Sequence, residues 1–137
     1  MFYTYNLLMT SSTIKEDTMK YFQKANEYYN DRDYKKAIVL YEKAIKLKDN
    51  EVSSLYNSAV CLIKLKEYSK AIPKLKEAIN LKRESKYFFN LGYCYTMLKN
   101  TKKALISFNT AWCLDNSDKD CEMAINILLK KYISRSK

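Results

Sequence analysis

Tyr34-Lys35-Lys36-Ala37-Ile38-Val39-Leu40-Tyr41-Glu42-Lys43-Ala44-Ile45-Lys46-Leu47 returns further along as Tyr68-Ser69-Lys70-Ala71-Ile72-Pro73-Lys74-Leu75-Lys76-Glu77-Ala78-Ile79-Asn80-Leu81. A third, more diverged copy is Thr101-Lys102-Lys103-Ala104-Leu105-Ile106-Ser107-Phe108-Asn109-Thr110-Ala111-Trp112-Cys113-Leu114. The anchor alanines Ala37, Ala71 and Ala104 lie 34 and then 33 residues apart. Self-similarity at that period is the signature of stacked helical hairpins. Within each copy the apolar residues fall at helical spacing, as in Ile38, Tyr41, Ile45 and Ile72, Leu75, Ile79. The alanines leave room for a neighbouring backbone. One hairpin cannot bury its stripe alone, whereas three in a row share a continuous core.

A second stripe precedes each copy. The first unit reads Tyr21, Ala25, Tyr28, then Ala37, Tyr41, Ala44. The second reads Leu55, Ala59, Leu62, then Ala71, Leu75, Ala78, and the third Phe88, Leu91, Gly92, Tyr95, then Ala104, Phe108, Ala111. This order of bulky, small and aromatic residues over residues 18–117 resembles the tetratricopeptide repeat. The resemblance implies an all-α, right-handed superhelical solenoid of three helix-turn-helix hairpins with a C-terminal capping helix. Repeats fall near 18–51, 52–84 and 85–117, within a domain spanning 14–137. Lys24 departs from the pattern, as do Asp49, Arg83 and Asn116 where proline is usual, and one residue is missing between Leu81 and Phe88.

Seven helices are expected, near 14–30, 34–48, 51–65, 68–82, 85–98, 101–115 and 118–133, with no sheet. Pro73 is placed near the start of its helix, where a missing N–H costs least. Thr13-Ile14-Lys15-Glu16 has capping-box spacing, so the first helix should begin near Ile14. The apolar segment 1–13 before it lacks a secretion-signal layout and is too short to span a bilayer. It can patch the first repeat, dock into a groove of its own or a neighbouring chain, or be an artificial leader. At the other end Ser117-Asp118-Lys119-Asp120 reads as a helix start. Met123, Ile127 and Leu128, with Ala124 beside them, should give that last helix its apolar packing face.

Composition narrows the chemistry. In 137 residues there is one glycine, so there is no glycine-rich phosphate loop, and there is no histidine, the commonest general base and metal ligand. Cys61, Cys94, Cys113 and Cys121 form no CxxC pair and read as packing residues with reduced thiols, which points to the cytoplasm. No catalytic residue, metal or cofactor is expected, and no membrane span.

Function should therefore reside in the concave face, which the resemblance assigns to the first helix of each hairpin. That places Met19, Phe22, Gln23, Asn26 and Tyr29 there, then Tyr56, Asn57, Val60, Ile63 and Lys64, then Lys86, Phe89, Asn90, Tyr93 and Met97. Phe22, Tyr56 and Phe89 form an aromatic stripe, and Gln23, Asn57 and Asn90 a carboxamide stripe. A carboxamide offers donors and an acceptor, so one per repeat can pair with both backbone groups of an extended peptide, as groove asparagines do in peptide-binding members of the family. Asn26, Asn57 and Lys86 also match three of five positions with which co-chaperones of this family grip a chaperone's C-terminal carboxylate. Phe22 and Asn90 stand where two cations belong, which removes most of the charge-assisted bonding.

The expected partner is a protein or peptide, an acidic or C-terminal segment, held by Phe22, Gln23, Asn26, Tyr56, Asn57, Lys64, Lys86, Phe89, Asn90 and Tyr93. The net charge of +10 favours an acidic partner. Nucleic acid is the weaker reading, because the lysines mostly leave the concave helices and no arginine cluster appears. The alternative is a structural assembly subunit, a homo-oligomer or stack joined through its ends or its N-terminal segment.

Overall fold

The computed structural model describes residues 21–48 and 50–136. The apolar segment 1–13, the helix start near Ile14, and Met19 lie outside the described residues. The helices are α1 (described over 21–30), α2 (Tyr34–Lys46), α3 (Glu51–Lys64), α4 (Tyr68–Leu81), α5 (Ser85–Met97), α6 (Thr101–Leu114) and α7 (Lys119–Ser136). No strand occurs among the described residues. From α2 onward each helix packs on the next in sequence, and α3 also touches α5, as in a solenoid of hairpins.

The two helices of each hairpin are joined by the same device. Leu62 and Ile63 carbonyls at the end of α3 accept from the N–H groups of Glu67 (2.8 Å) and Lys66 (2.9 Å). Tyr28 and Tyr29 do the same for Asp33 and Arg32, and Tyr95 and Thr96 for Asn100 and Lys99. This is a Schellman closure, which puts one residue in the left-handed region. Arg32, Lys66 and Lys99 occupy it, at φ of 62°, 60° and 61°, a position that favours glycine. The next residue then starts the second helix. Asp33 Oδ1 accepts from Lys36 N, and Asn100 Oδ1 from Lys103 N.

Eight anchor alanines, Ala25, Ala37, Ala44, Ala59, Ala71, Ala78, Ala104 and Ala111, are completely buried. Gly92 takes this role in the third hairpin, where a Cβ would lie 2.9 Å from the ring of Phe108. The missing residue after Leu81 shortens the link between α4 and α5 to 82–84, against 47–50 between α2 and α3.

Two expectations are corrected. Pro73 lies inside α4, not in its first turn. The first bonded N–H of α4 is that of Ala71, to Glu67, so proline removes a bond the helix would otherwise make to Ser69. The packing face of α7 is also different. Cys121 packs with Phe88 and Ala111, and Leu128, Ala124 and Ile125 join the cluster around Tyr95 and Phe108. Met123 and Ile127 are left 60% and 48% exposed. Each is two residues from a packed one, which turns it about 200° away on a helix of 3.6 residues per turn.

Candidate functional site

The first helices and the turns after them enclose a groove of about 500 Å³. It is lined by Tyr29 of α1, by Tyr56, Val60, Ile63 and Lys64 of α3, by Lys66 in the following turn, by Tyr68 of α4, and by Phe89, Asn90 and Tyr93 of α5. Five of the candidate residues, Tyr56, Lys64, Phe89, Asn90 and Tyr93, therefore meet in one cavity. No carboxylate lines it.

The remaining candidates are placed elsewhere. Gln23 is exposed on α1 and outside the cavity wall. Phe22 is half-buried against Tyr41, with ring centroids 6.1 Å apart, as Phe89 is against Phe108 at 5.4 Å. Phe22 and Phe89 thus brace their helices on their own second helices, whereas Tyr56 of α3 tilts against Tyr87 of α5, at 5.1 Å between centroids. Asn26 Oδ1 accepts from the Tyr41 hydroxyl (2.5 Å) and from Asn57 Nδ2 (3.4 Å). Burial is the main cause that pushes the Tyr41 phenol up to about 12, so it stays a donor at neutral pH.

Asn90 changes the expected chemistry of the carboxamide stripe. Its Nδ2 donates to the Lys86 carbonyl (2.8 Å) and to the Tyr56 hydroxyl (3.2 Å). Both amide protons are engaged, which leaves the carbonyl oxygen Oδ1 to serve an incoming N–H. The two-way backbone pairing expected of this residue becomes acceptor-only.

Lys86 is similarly occupied. Its Nζ lies 3.5 Å from Glu84 Oε2 and 4.9 Å from the centre of the Tyr56 ring. Glu84 is held below the usual carboxylate range, first by its hydrogen bond with Lys82. Lys64 and Lys66 form no ion pair among the described residues, so they are the groove's available cations.

Lys66 and Tyr68 escaped the sequence reading because it confined the groove to first helices. Lys66 shares its turn position with Arg32 and Lys99, and of these three only Lys66 lines the groove. Tyr68 stacks edge-on to Tyr93, at 6.0 Å between centroids.

The cysteines divide. Cys61, Cys94 and Cys121 are buried, and burial is the leading cause that pushes each thiol up to about 12. Cys113 is exposed, which corrects its reading as a packing residue. Among the described residues no group of three or more His, Cys, Asp or Glu side chains could hold a metal ion, and no helix is long and apolar enough to cross a membrane.

Hairpins closed by small anchors, with a groove along their first helices, define a helical-repeat solenoid. A family model described as "Anaphase-promoting complex, cyclosome, subunit 3" matches residues 1–78, and the chain belongs to that family of tetratricopeptide repeat proteins. Sperm-associated antigen 1 of Homo sapiens is 29% identical over 75% of this chain and 11% of its own length. The Hsp70-Hsp90 organising protein of Plasmodium falciparum is 32% identical over 69% of this chain and 18% of its own. The chain thus spans less than a fifth of these relatives. Among solved structures, the first tetratricopeptide domain of Spaghetti (RPAP3), bound to the HSP90 peptide SRMEEVD, superposes with a TM-score of 0.80. It is 18% identical and covers 86% of this chain and 94% of that one.

Proposed function

We propose that this chain is a non-enzymatic protein-interaction module that holds an extended peptide segment of a partner in its concave groove. One observation carries the reading: a cavity of about 500 Å³ walled by tyrosines, Phe89 and Asn90, with two uncompensated lysines at its rim. Apolar side chains of the peptide pack on the rings, Asn90 Oδ1 accepts a backbone N–H, and Lys64 and Lys66 meet a carboxylate. The RPAP3 domain bound to its HSP90 peptide supports the mode of binding. Buried, protonated thiols fit the reducing cytoplasm.

The test is a display selection of peptides on the intact protein, followed by calorimetric titration of the best binder. Asn90→Ala should weaken it several-fold, since a net hydrogen bond is worth about 0.5–1.5 kcal/mol, and Tyr93→Ala should do so through the lost apolar contact. With Phe22 and Asn90 at two cationic clamp positions, SRMEEVD should bind more weakly than the selected peptide. Unchanged affinity in both variants, with folding intact, removes the groove from the mechanism.

A second reading, an assembly subunit that stacks through its ends or N-terminal segment, is favoured by the exposed Met123 and Ile127 on α7. Sedimentation should then show self-association that Met123→Lys/Ile127→Lys abolishes.

A further inference from the structure

Carboxylates are absent from a long part of this sequence. No Asp or Glu occurs from Ser85 to Leu114, and none follows Glu122. The hairpin of α5 and α6 packs against α7, so both walls of the C-terminal half of that contact lack acids. A cleft of about 370 Å³ opens there, lined by Met97 of α5, Lys99 of the turn, Thr101 of α6, and Lys131, Tyr132 and Arg135 of α7. Lys99, Lys131 and Arg135 form no ion pair among the described residues. Three like charges around one cleft repel one another, and an anionic occupant relieves that repulsion. A helix C-terminus favours cations for its own sake, which accounts for Arg135 and for Lys99, the second residue past α5, but not for Lys131 inside α7.

The cleft continues the groove. Tyr93 lines the groove and Met97 lines the cleft, and residues four apart stand one above the other on a helix. The rim repeats as well: Lys66 edges the groove and Lys99 the cleft, both in the left-handed turn position where glycine would be less strained.

We propose that this basic cleft is a second subsite, which receives acidic side chains of the same extended segment whose apolar side chains the groove holds. The inference rests on the groove reading and gives the ligand a direction, apolar or aromatic residues on Tyr56 and Tyr93, then a run of Glu or Asp over α7. Three cations suit one or two carboxylates. A nucleic-acid backbone is gripped through a longer row, about six to ten phosphate contacts.

The probes are a fluorescein-labelled peptide, Tyr-Leu-Tyr followed by four Glu, its counterpart with four Gln, and a short oligothymidylate, each titrated by anisotropy against the full chain. The Glu peptide should bind about tenfold tighter than the Gln peptide, and Lys131→Ala/Arg135→Ala should remove about that factor. Lys35→Ala/Lys70→Ala, which deletes equal charge from α2 and α4, should change affinity less than about twofold. Lys99→Gly should raise the melting midpoint, because glycine accepts the turn, yet weaken the Glu peptide; a purely structural lysine would not split the two readouts. Equal losses in the two double variants, equal affinity for the two peptides, or tighter oligothymidylate binding through the same residues would each overturn the proposal. Dependence on Tyr93 without dependence on the cleft also overturns it and leaves the groove reading standing. Dependence on the cleft with none on Tyr93 removes the groove reading and with it the shared segment, so it overturns the proposal by a different route.

Discussion

The two halves of the concave face are built from equivalent residues and end in different states. Upstream, the second helix presents Tyr41, whose hydroxyl reaches Asn26 and ties it to Asn57. Downstream, the equivalent positions are Leu75 and Phe108, which carry no hydroxyl, and the first helices keep an open groove between Tyr56 and Tyr93. The third hairpin closes by contact instead, with the Phe108 ring pressed on Gly92. Residues that repeat in sequence are thus not equal in availability. Asn26, held by the Tyr41 hydroxyl, stands where the later repeats have Val60 and Tyr93, so the upstream asparagine is spent on the fold while its counterparts line the groove.

The largest effects should come from the close contacts. Gly92→Ala puts a Cβ at 2.9 Å from three atoms of the Phe108 ring. Phe108 is buried and its ring stacks edge-on against Phe89, so it cannot simply swing free. We expect a loss of about 1–3 kcal/mol, read as a lower urea midpoint. Ala71→Leu, at a fully buried position, should cost at least as much. If Gly92→Ala melts like wild type, the downstream hairpin is looser than its geometry, and the contrast with the upstream half fails.

Alkaline pH probes burial in both halves, since Cys94 and Cys121 downstream are also pushed up to about 12, and the upstream cluster adds the Tyr41 phenol. Tyr41 and Cys61 share the upstream cluster, and burial is the leading cause that pushes both up to about 12. The unfolded chain releases these protons near their ordinary values of 10.0 and 9.0, while the folded chain keeps them. Stability is therefore complete below about pH 9 and falls as pH rises towards 12. Urea midpoints measured from pH 8 to 12 should decline steadily, and Tyr41→Phe should flatten the upper part of that decline. A flat profile in wild type would show that these groups ionise freely in the folded state.

At neutral pH, Tyr41→Phe should cost about 0.5–1.5 kcal/mol for the lost hydrogen bond. It should leave the downstream groove's peptide affinity unchanged. An affinity change of more than a few-fold would mean that the halves are coupled through Asn57.

Helix positions were legible because the repeat states each boundary three times. The resemblance, which assigns the concave face to the first helices, placed Tyr56, Lys64, Phe89, Asn90 and Tyr93 on one face, and one cavity gathers them. What the sequence left out depends on partners distant along the chain. The face of α7 is chosen by Phe88 and Ala111, so local apolarity at Met123 and Ile127 pointed the wrong way. The engaged protons of Asn90 depend on Tyr56, a residue of the preceding repeat. Lys66 and Tyr68 lie beyond the first helix, where periodicity gives no guidance.

The smallest effect separates packing from polar satisfaction in α3. Ser58 follows Asn57 and is completely buried, and its Oγ has no hydrogen-bond partner among the described residues. A buried hydroxyl without a partner carries a desolvation cost, and serine is a poorer helix former than alanine. Removing one oxygen leaves a void smaller than a methyl group. Ser58→Ala should therefore stabilise the chain, by less than about 1 kcal/mol. It should do so without altering Asn57, whose own bond points to Asn26. Thermal melting of Ser58→Ala beside Asn57→Ala provides the check, with opposite signs expected. A loss of stability in Ser58→Ala would show that the hydroxyl is satisfied in solution, by a buried water or by the carbonyl one turn back, and that the upstream half is more polar inside than its packing implies.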